Sequence, residues 1–216
     1  MADLIHGLRA DVVASNLERV RTEIAGVGRD PDTVEILAAT KYVPAVELAV
    51  LAAAGVRVVG ENRAQDLVAK AQAGPRRLTW DFIGHLQSRK VAQVLPYVRY
   101  IHSVASDSAL EQLRRHGDEN TEILVEVNVA GEPGKSGLAP ADLPAFLERS
   151  PVRVVGLMTM PPLTGRPEES RPHFEALREL AQAYGLPQLS MGTSQDYLVA
   201  VQEGATIVRL GMVLYT

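Results

Sequence analysis

Cysteine is absent from the sequence, and lysine is scarce. The absence of cysteine excludes a disulfide scaffold, a thiolate zinc site and a cysteine nucleophile. No apolar run approaches the roughly twenty residues that cross a bilayer, because Glu47 and Arg57 interrupt the most apolar stretch, residues 45–60. The N-terminal residues carry regularly spaced charges and lack the apolar core of a signal peptide. We therefore expect a cytoplasmic protein without a membrane partner.

The histidines and the net charge argue against metal and nucleic-acid ligands. The five histidines show no pair at metal-ligand spacing, so we expect no metal site. A formal net charge of −4 does not provide the basic surface of a nucleic-acid binder. The 216 residues are 46% hydrophobic and 22% charged, which is typical of a globular protein. No Pro/Gly/Ser-rich linker divides them, so we expect one domain over residues 1–216.

Short apolar runs alternate with helical patterns along the chain, after a leading amphipathic helix over residues 4–25. The eight strand candidates are residues 34–40, 57–60, 79–83, 100–103, 122–129, 152–158, 188–190 and 206–210. Strict alternation of this kind predicts a parallel sheet with right-handed crossovers. Eight units favour a closed (β/α)₈ barrel over an open, doubly wound α/β sheet, and place functional groups at the C-terminal ends of the strands.

The chain has four lysines, so chemistry that needs a primary amine has few candidates. Lys41 follows the first predicted strand, at the barrel mouth, where desolvation favours the neutral, nucleophilic form of an amine. The alternative is that Lys41 extends into solvent. Lys70 and Lys90 fall within predicted helices, and we expect them to be solvated. Lys135, in the loop after the fifth strand, is the one rival amine.

The last two units point to an anionic ligand. Small hydroxyl residues and a glycine, residues 190–194, precede a predicted helix that begins near Gln195, and such segments offer free backbone N–H groups. Arg209 lies in the eighth strand and Gly211 ends it, and the loops after strands seven and eight are the usual phosphate site of these barrels. Ser194 also fits an ordinary helix N-cap. A lysine and a phosphate site suggest a phosphorylated carbonyl ligand, either pyridoxal 5′-phosphate (PLP) or the sugar phosphate of an aldolase.

Seven segments of the chain resemble the YggS/PROSC family of PLP homeostasis proteins. They are ATKYVP, GENRAQ, WDFIGHLQSRK, VNVAGEPGKSG, VVGLMTM, LSMGTSQD and GATIVRLG, and they follow the family order from Ile36 to the end. The resemblance implies a TIM barrel of the fold-type III PLP proteins, similar to the N-terminal domain of alanine racemase. The C-terminal Leu214-Tyr215-Thr216 and the residue Thr193, where methionine is frequent, depart from the family pattern.

The same resemblance implies the residues of a PLP site. It identifies Lys41 as the lysine that forms the internal aldimine and Arg209 as the arginine that faces the pyridine nitrogen. It implies that Asn62 and Met158 line the cofactor. The segments that it assigns to the phosphate contain Ser190, Gly192, Thr193, Ser194, Gly211 and Met212.

An arginine beside the pyridine nitrogen indicates weak catalysis. A guanidinium only donates hydrogen bonds, so the ring nitrogen stays unprotonated and is a poor electron sink. From a length of 216 residues we also expect no counterpart of the extra domain whose partner copy supplies a second base in the racemases. We therefore expect a monomeric PLP-binding protein of PLP homeostasis, which holds the cofactor on Lys41 and transfers it to apo-enzymes. The alternatives are a low-activity PLP-dependent amino-acid racemase or lyase, and a Schiff-base aldolase.

Overall fold

Eight parallel strands close into a barrel in the computed structural model, which describes residues 4–216. Each strand pairs with its successor in the chain, and the eighth pairs with the first, Glu35 opposite Ile207. The strands are β1 (Glu35–Ala39), β2 (Val58–Glu61), β3 (Thr79–Phe82), β4 (Tyr100–Val104), β5 (Glu122–Glu126), β6 (Arg153–Met158), β7 (Gln188–Thr193) and β8 (Ile207–Leu210). The predicted (β/α)₈ barrel is confirmed.

Helices cover the outside of the barrel, and apolar side chains fill the space between them and the strands. They are α1 (Ala10–Gly26), α2 (Leu48–Ala53), α3 (Ala64–Ala73), α4 (Val91–Val94), α5 (Asp107–His116), α6 (Leu143–Arg149), α7 (Arg171–Ala183), α8 (Tyr197–Gln202) and α9 (Met212–Tyr215). Among residues 4–216, none of the helices combines the length and the apolar character needed to cross a membrane.

The leading helix is shorter than the sequence predicts, because α1 begins at Ala10 rather than at residue 4. The preceding residues are held by the loop after β1. The N–H of Ile5 donates to the carbonyl of Tyr42 at 2.8 Å, and the N–H of Gly7 donates to Glu47 Oε1 at 2.7 Å. Gly7 has a φ of +71°, which ends helical geometry at this point. Residues 4–9 therefore lie against the barrel mouth.

Strand β7 is longer than predicted and is irregular at its end. It runs to Thr193 rather than to residue 190, and its pairing with β8 shifts register between Ser190 and Thr193. Within the shift, Gly192 has a φ of +91°, and a Cβ there would meet the Cβ of Ala200 at 2.6 Å. Only glycine fits both the backbone conformation and the space. The irregularity turns the end of β7 toward the mouth.

The barrel interior contains two buried apolar clusters and a set of buried polar side chains. Leu37, Val58 and Ile207 form one buried cluster, and Leu124, Val155 and Met158 form another. The buried polar side chains include those of Asp81, His102, Ser190 and Arg209. Buried polar groups of this kind need hydrogen-bond partners within the protein.

Candidate functional site

A cavity of about 580 Å³ opens at the C-terminal ends of the strands, and this volume is typical of small-molecule sites. Eight of the predicted site residues line it: Lys41, Asn62, Met158, Thr193, Ser194, Arg209, Gly211 and Met212. The predicted residues Ser190 and Gly192 are not part of its lining. Several lining residues were not assigned to the site from the sequence, among them Ile5, Gly84, Ser103, Glu126, Ser136, Met160 and Tyr215.

Lys41 lies two residues beyond the end of β1, after Thr40, and its side chain is exposed at the mouth of the cavity. The Nζ atom lies 4.7 Å from the centre of the Tyr42 ring, within range of a cation–π contact. The structure therefore does not show the burial from which the sequence analysis derived a nucleophilic amine. The amine is instead placed where a carbonyl compound in the cavity can reach it.

Lys70 is buried, and the prediction that it is solvated is wrong. From α3 its ammonium donates to the carboxylate of Glu61, whose side chain is 0% exposed. It also donates to the carbonyl of Thr40 at 2.8 Å, and the Thr40 hydroxyl donates to Glu61 Oε1 at 2.9 Å. The three groups satisfy one another within the protein, as a buried ion pair requires. They fix the backbone immediately before Lys41.

Arg209 reaches the cavity from β8 with most of its donors already in use. Nη1 donates to the carbonyl of Ser190 at 2.7 Å and to its Oγ at 2.6 Å. Nη2 donates to the carbonyl of Thr159 at 2.9 Å and approaches the sulfur of Met160 at 2.8 Å. The hydrogen bonds within residues 4–216 leave the fifth donor, Nε–H, without an acceptor. A guanidinium so fixed presents one N–H to a ligand.

Burial weakens the proton affinity of this guanidinium without removing its charge. Desolvation lowers the pKa of Arg209 to about 10, and the charges of Asp196 and Glu126 oppose that shift. Arg209 therefore remains a cation at neutral pH, and it can act only as a hydrogen-bond donor.

The loops after β7 and β8 are joined at the cavity wall. The N–H of Gly211 donates to Ser194 Oγ at 3.2 Å. The N–H and the hydroxyl of Thr193 both donate to Asp196 Oδ1, at 2.7 and 3.1 Å. Because this turn occupies residues 193–196, α8 begins at Tyr197 rather than near Gln195, and Ser194 is not its N-cap.

Two backbone donors in this turn are free. Within the part of the chain that the structure describes, the N–H groups of Ser194 and Gln195 have no protein acceptor. Both residues line the cavity. Unpaired N–H groups of consecutive residues form an anion-binding concavity. The wall made by the last two strands can therefore receive an anion.

Another unpaired polar group lies immediately after β2. The side-chain Oδ1 of Asn62 is buried and has no hydrogen-bond partner among residues 4–216. Beside it, a Cβ on Gly84 would come within 1.9 Å of the Asn62 carbonyl oxygen. Glycine at position 84 is thus required for β2 and β3 to end close together. An unpaired buried amide oxygen at a cavity wall is available to accept a hydrogen bond from a ligand.

The remaining amine and carboxylate candidates lie on the opposite wall. Lys135 is exposed and pairs with Glu132 in the loop after β5. Glu126 is 6% exposed and accepts a hydrogen bond of 2.6 Å from the Ser136 hydroxyl. No cluster of three or more metal-ligating side chains occurs in residues 4–216. Lys41 and Lys135 are the two lysines among the residues that line the cavity.

A larger cavity, of about 700 Å³, lies at the opposite end of the barrel. Residues of α1 and the N-terminal ends of β1 and β8 line it, and no lysine is among its lining residues. The ligand sites of (β/α)₈ barrels lie at the C-terminal ends of the strands. The cavity that contains Lys41 is therefore the candidate functional site.

Comparison with known proteins gives close relatives over almost the whole chain. The pyridoxal phosphate homeostasis proteins of Aquifex aeolicus and Pseudomonas aeruginosa are each 38% identical to it; the matches cover 92% and 95% of this chain and 93% and 94% of theirs. The solved structure of PipY from Synechococcus elongatus with PLP bound is 33% identical, with a TM-score of 0.79, and covers 94% of this chain and 100% of PipY. No family model matches the chain.

More distant structures share the fold alone. Alanine racemase from Clostridium difficile has a TM-score of 0.65 at 13% identity, and the match covers 93% of this chain and 56% of the racemase. The expected similarity of the barrel to alanine racemase is confirmed at the level of fold.

Proposed function

The chain belongs to the pyridoxal phosphate homeostasis protein family, and we propose that it binds PLP in the cavity at the C-terminal ends of its strands. One observation carries the proposal. Three adjacent strands bring an amine, a single guanidinium N–H and unpaired backbone N–H groups to one cavity, from Lys41, Arg209 and the turn at Ser194. PLP offers an aldehyde, a ring nitrogen and a phosphate to match them.

The phosphate belongs at the wall made by the loops after β7 and β8. The free N–H groups of Ser194 and Gln195 donate to it. The hydroxyl of Ser194 already accepts from Gly211, so its own hydrogen is available to a phosphate oxygen. Gly211 and Met212 complete this wall. In this proposal the predicted residues Ser190 and Gly192 shape the phosphate site from behind rather than touch the ligand.

Lys41 carries the cofactor as a Schiff base, the internal aldimine. Its neutral amine adds to the aldehyde carbon, and loss of one water molecule leaves the C=N bond. Because the side chain is exposed at the mouth, the linkage is open to water and to competing amines, which reverse it. The amide of Asn62, which lacks a protein partner at Oδ1, and the buried Met158 line the ring.

Arg209 holds the ring nitrogen with its free Nε–H. Because the guanidinium donates and cannot accept, the nitrogen remains unprotonated, and the bound cofactor is a weak electron sink. This favours a protein that holds PLP over one that catalyses carbanion chemistry with it. We propose a monomeric, cytoplasmic PLP carrier that passes the cofactor to apo-enzymes.

A titration with PLP and with pyridoxal tests the proposal. Unphosphorylated pyridoxal serves as the matched ligand, because it keeps the aldehyde and the ring nitrogen. We expect PLP to give a visible chromophore and to be retained at least about tenfold more tightly than pyridoxal, since several charge-assisted hydrogen bonds are lost with the phosphate. If neither PLP nor pyridoxal gives a chromophore, PLP binding is contradicted. Reductive trapping of a three-carbon sugar phosphate in place of PLP would favour the aldolase.

A further inference from the structure

A chain of buried polar side chains crosses the barrel interior behind Arg209. Asp81 of β3, His102 of β4 and Ser190 of β7 are each 0% exposed, and Arg209 of β8 is 6% exposed. The first three are absent from the lining of the cavity. Burying polar side chains in a barrel interior is costly unless they are fully paired. Their contacts form a continuous path that ends on the guanidinium.

The directions of these hydrogen bonds follow from the two ends of the path. Arg209 Nη1 can only donate, so Ser190 Oγ accepts from it, at 2.6 Å. An ionised carboxylate can only accept, so His102 Nε2, 3.1 Å from Asp81 Oδ2, carries a hydrogen. His102 Nδ1 then lies 2.8 Å from Ser190 Oγ without a hydrogen of its own. It accepts the remaining hydroxyl hydrogen of Ser190. A single tautomer of His102 satisfies every group.

The charges along the path remain at its ends. Burial lowers the pKa of His102 and outweighs the opposing effect of Asp81, so the imidazole is neutral. Burial by itself raises the pKa of Asp81, but the hydrogen bonds from His102 and Arg99, together with the charge of Arg99, hold it below its ordinary value. Arg99 also pairs with Glu35 at the N-terminal ends of the strands, beside the larger cavity. The path therefore joins a fixed anion, Asp81, to a fixed cation, Arg209, through two neutral groups.

We propose that Asp81, His102 and Ser190 are positioning residues that hold the Arg209 guanidinium with its Nε–H toward the cavity, where it binds the ring nitrogen of PLP. The inference rests on the proposed function. Ser190 Oγ is one of four acceptors that fix the guanidinium, and the carboxylate polarises the path so that this oxygen accepts more strongly. Without this acceptor the guanidinium keeps three of its four contacts and is held less firmly, so its Nε–H is a less fixed donor to the ring nitrogen.

The substitution Ser190→Ala breaks the path at its centre and leaves both Lys41 and the cavity lining unchanged. The matched control is Ser170→Ala. Ser170 is 1% exposed, its hydroxyl has no hydrogen-bond partner within residues 4–216, and it lies outside the cavity lining. The two variants remove the same atom from buried sites, so general effects of the substitution appear in both.

The experiment has two parts. In the PLP-free protein, long-range ¹H–¹⁵N correlation spectra report the tautomer of His102 without any substitution. We expect hydrogen on Nε2 and none on Nδ1. With PLP labelled with ¹⁵N in its ring, the shift of that nitrogen reports its protonation as the pH is lowered. We expect the ring nitrogen of the wild type and of Ser170→Ala to resist protonation equally. In Ser190→Ala its midpoint should rise by about one pH unit, a tenfold change.

Each outcome decides a different claim. Hydrogen on His102 Nδ1, or a charged imidazolium, overturns the path as drawn. The same ring-nitrogen midpoint in wild type, Ser190→Ala and Ser170→Ala overturns the positioning role while PLP binding stands. If the wild type forms no PLP chromophore, the proposed function fails, and the ring-nitrogen assignment fails with it. Should Ser190→Ala not fold, the tautomer measured in the wild type still decides the path.

Discussion

The backbone N–H of Gly211 donates a hydrogen bond of 3.2 Å to the hydroxyl of Ser194. This contact ties the loop after β7 to the loop after β8 at the wall of the cavity. It gives the Ser194 hydroxyl a role other than capping α8, which begins three residues later at Tyr197. In the same turn, the backbone N–H groups of Ser194 and Gln195 have no acceptor within residues 4–216. A phosphate site requires free donors of this kind.

Replacing Ser194 by aspartate is expected to weaken PLP retention by about tenfold or more, because a carboxylate there repels the phosphate at short range. Ser194→Ala, which removes the hydroxyl without adding charge, is the matched control and should lose less. Equilibrium dialysis of PLP against both variants measures the difference. Equal affinity in wild type and Ser194→Asp would remove the phosphate from this wall.

Lys70→Met is expected to lower the free energy of unfolding by about 3–5 kcal/mol, because it leaves the buried Glu61 carboxylate without its partner. The Lys70 side chain is 10% exposed and that of Glu61 is 0% exposed, so water cannot compensate. Urea denaturation followed by circular dichroism gives the value. Lys90→Met removes an ammonium whose one hydrogen bond within residues 4–216 is to Gln93 Oε1, at 3.1 Å, and should change stability by about 0.5 kcal/mol or less. Equal losses in the two variants would contradict the buried pair.

The stability of the protein is expected to fall as the pH drops below about 6.5, the ordinary pKa of histidine. Burial lowers the pKa of His102 in the folded state. Between the two pKa values the unfolded chain binds a proton that the folded chain does not, so acid favours unfolding. One such group contributes a slope of at most about 1.4 kcal/mol per pH unit.

The variant His102→Gln should show a smaller slope over this range, whatever its absolute stability. His116→Gln, at an exposed position of α5, is the control and should keep the wild-type slope. Denaturant unfolding at a series of pH values between neutral and mildly acidic gives both. Parallel curves for wild type and His102→Gln would show that His102 is not neutral in the folded protein. At lower pH, protonation of Asp81 removes further stability as the pH falls through its lowered pKa.

Exchange of the α-proton of amino acids should be slow in the PLP-loaded protein, because in the proposed site Arg209 keeps the ring nitrogen unprotonated. Deuterium incorporation into alanine, followed by NMR with stoichiometric protein, measures the rate. Many turnovers per minute would contradict the carrier and favour a racemase. The rate is measured on the wild type rather than on an Arg209→Glu variant. That substitution would place a carboxylate against the carbonyls of Ser190 and Thr159, which accept hydrogen bonds from the guanidinium.

The barrel could be predicted from the sequence because each strand and helix leaves a local signal, and the alternation fixes the topology. The strand ends were less predictable. The irregular end of β7 depends on Gly192 fitting against Ala200 of α8, which no local pattern shows. Lys41 and Arg209 stood out because lysines are few and the arginine lies in an apolar strand.

The buried polar path could not be predicted, because its members are distant in the sequence. His102 and Ser190 are 88 residues apart, and His102 and Asp81 are 21 apart. Lys70 was misjudged for a related reason. Its position in a helix does not show which face packs on the barrel, and its partner Glu61 lies in a different element.

The central claim is that Lys41 carries PLP, and reduction of the loaded protein with borohydride tests it most directly. Intact mass and peptide mapping before and after reduction locate the adduct. In the wild type we predict one PLP adduct, on the peptide that contains Lys41. In a folded Lys41→Ala variant both the adduct and the chromophore should be lost. In Lys135→Ala both should be retained. An adduct on Lys135, or a reducible chromophore that survives in Lys41→Ala, would contradict it.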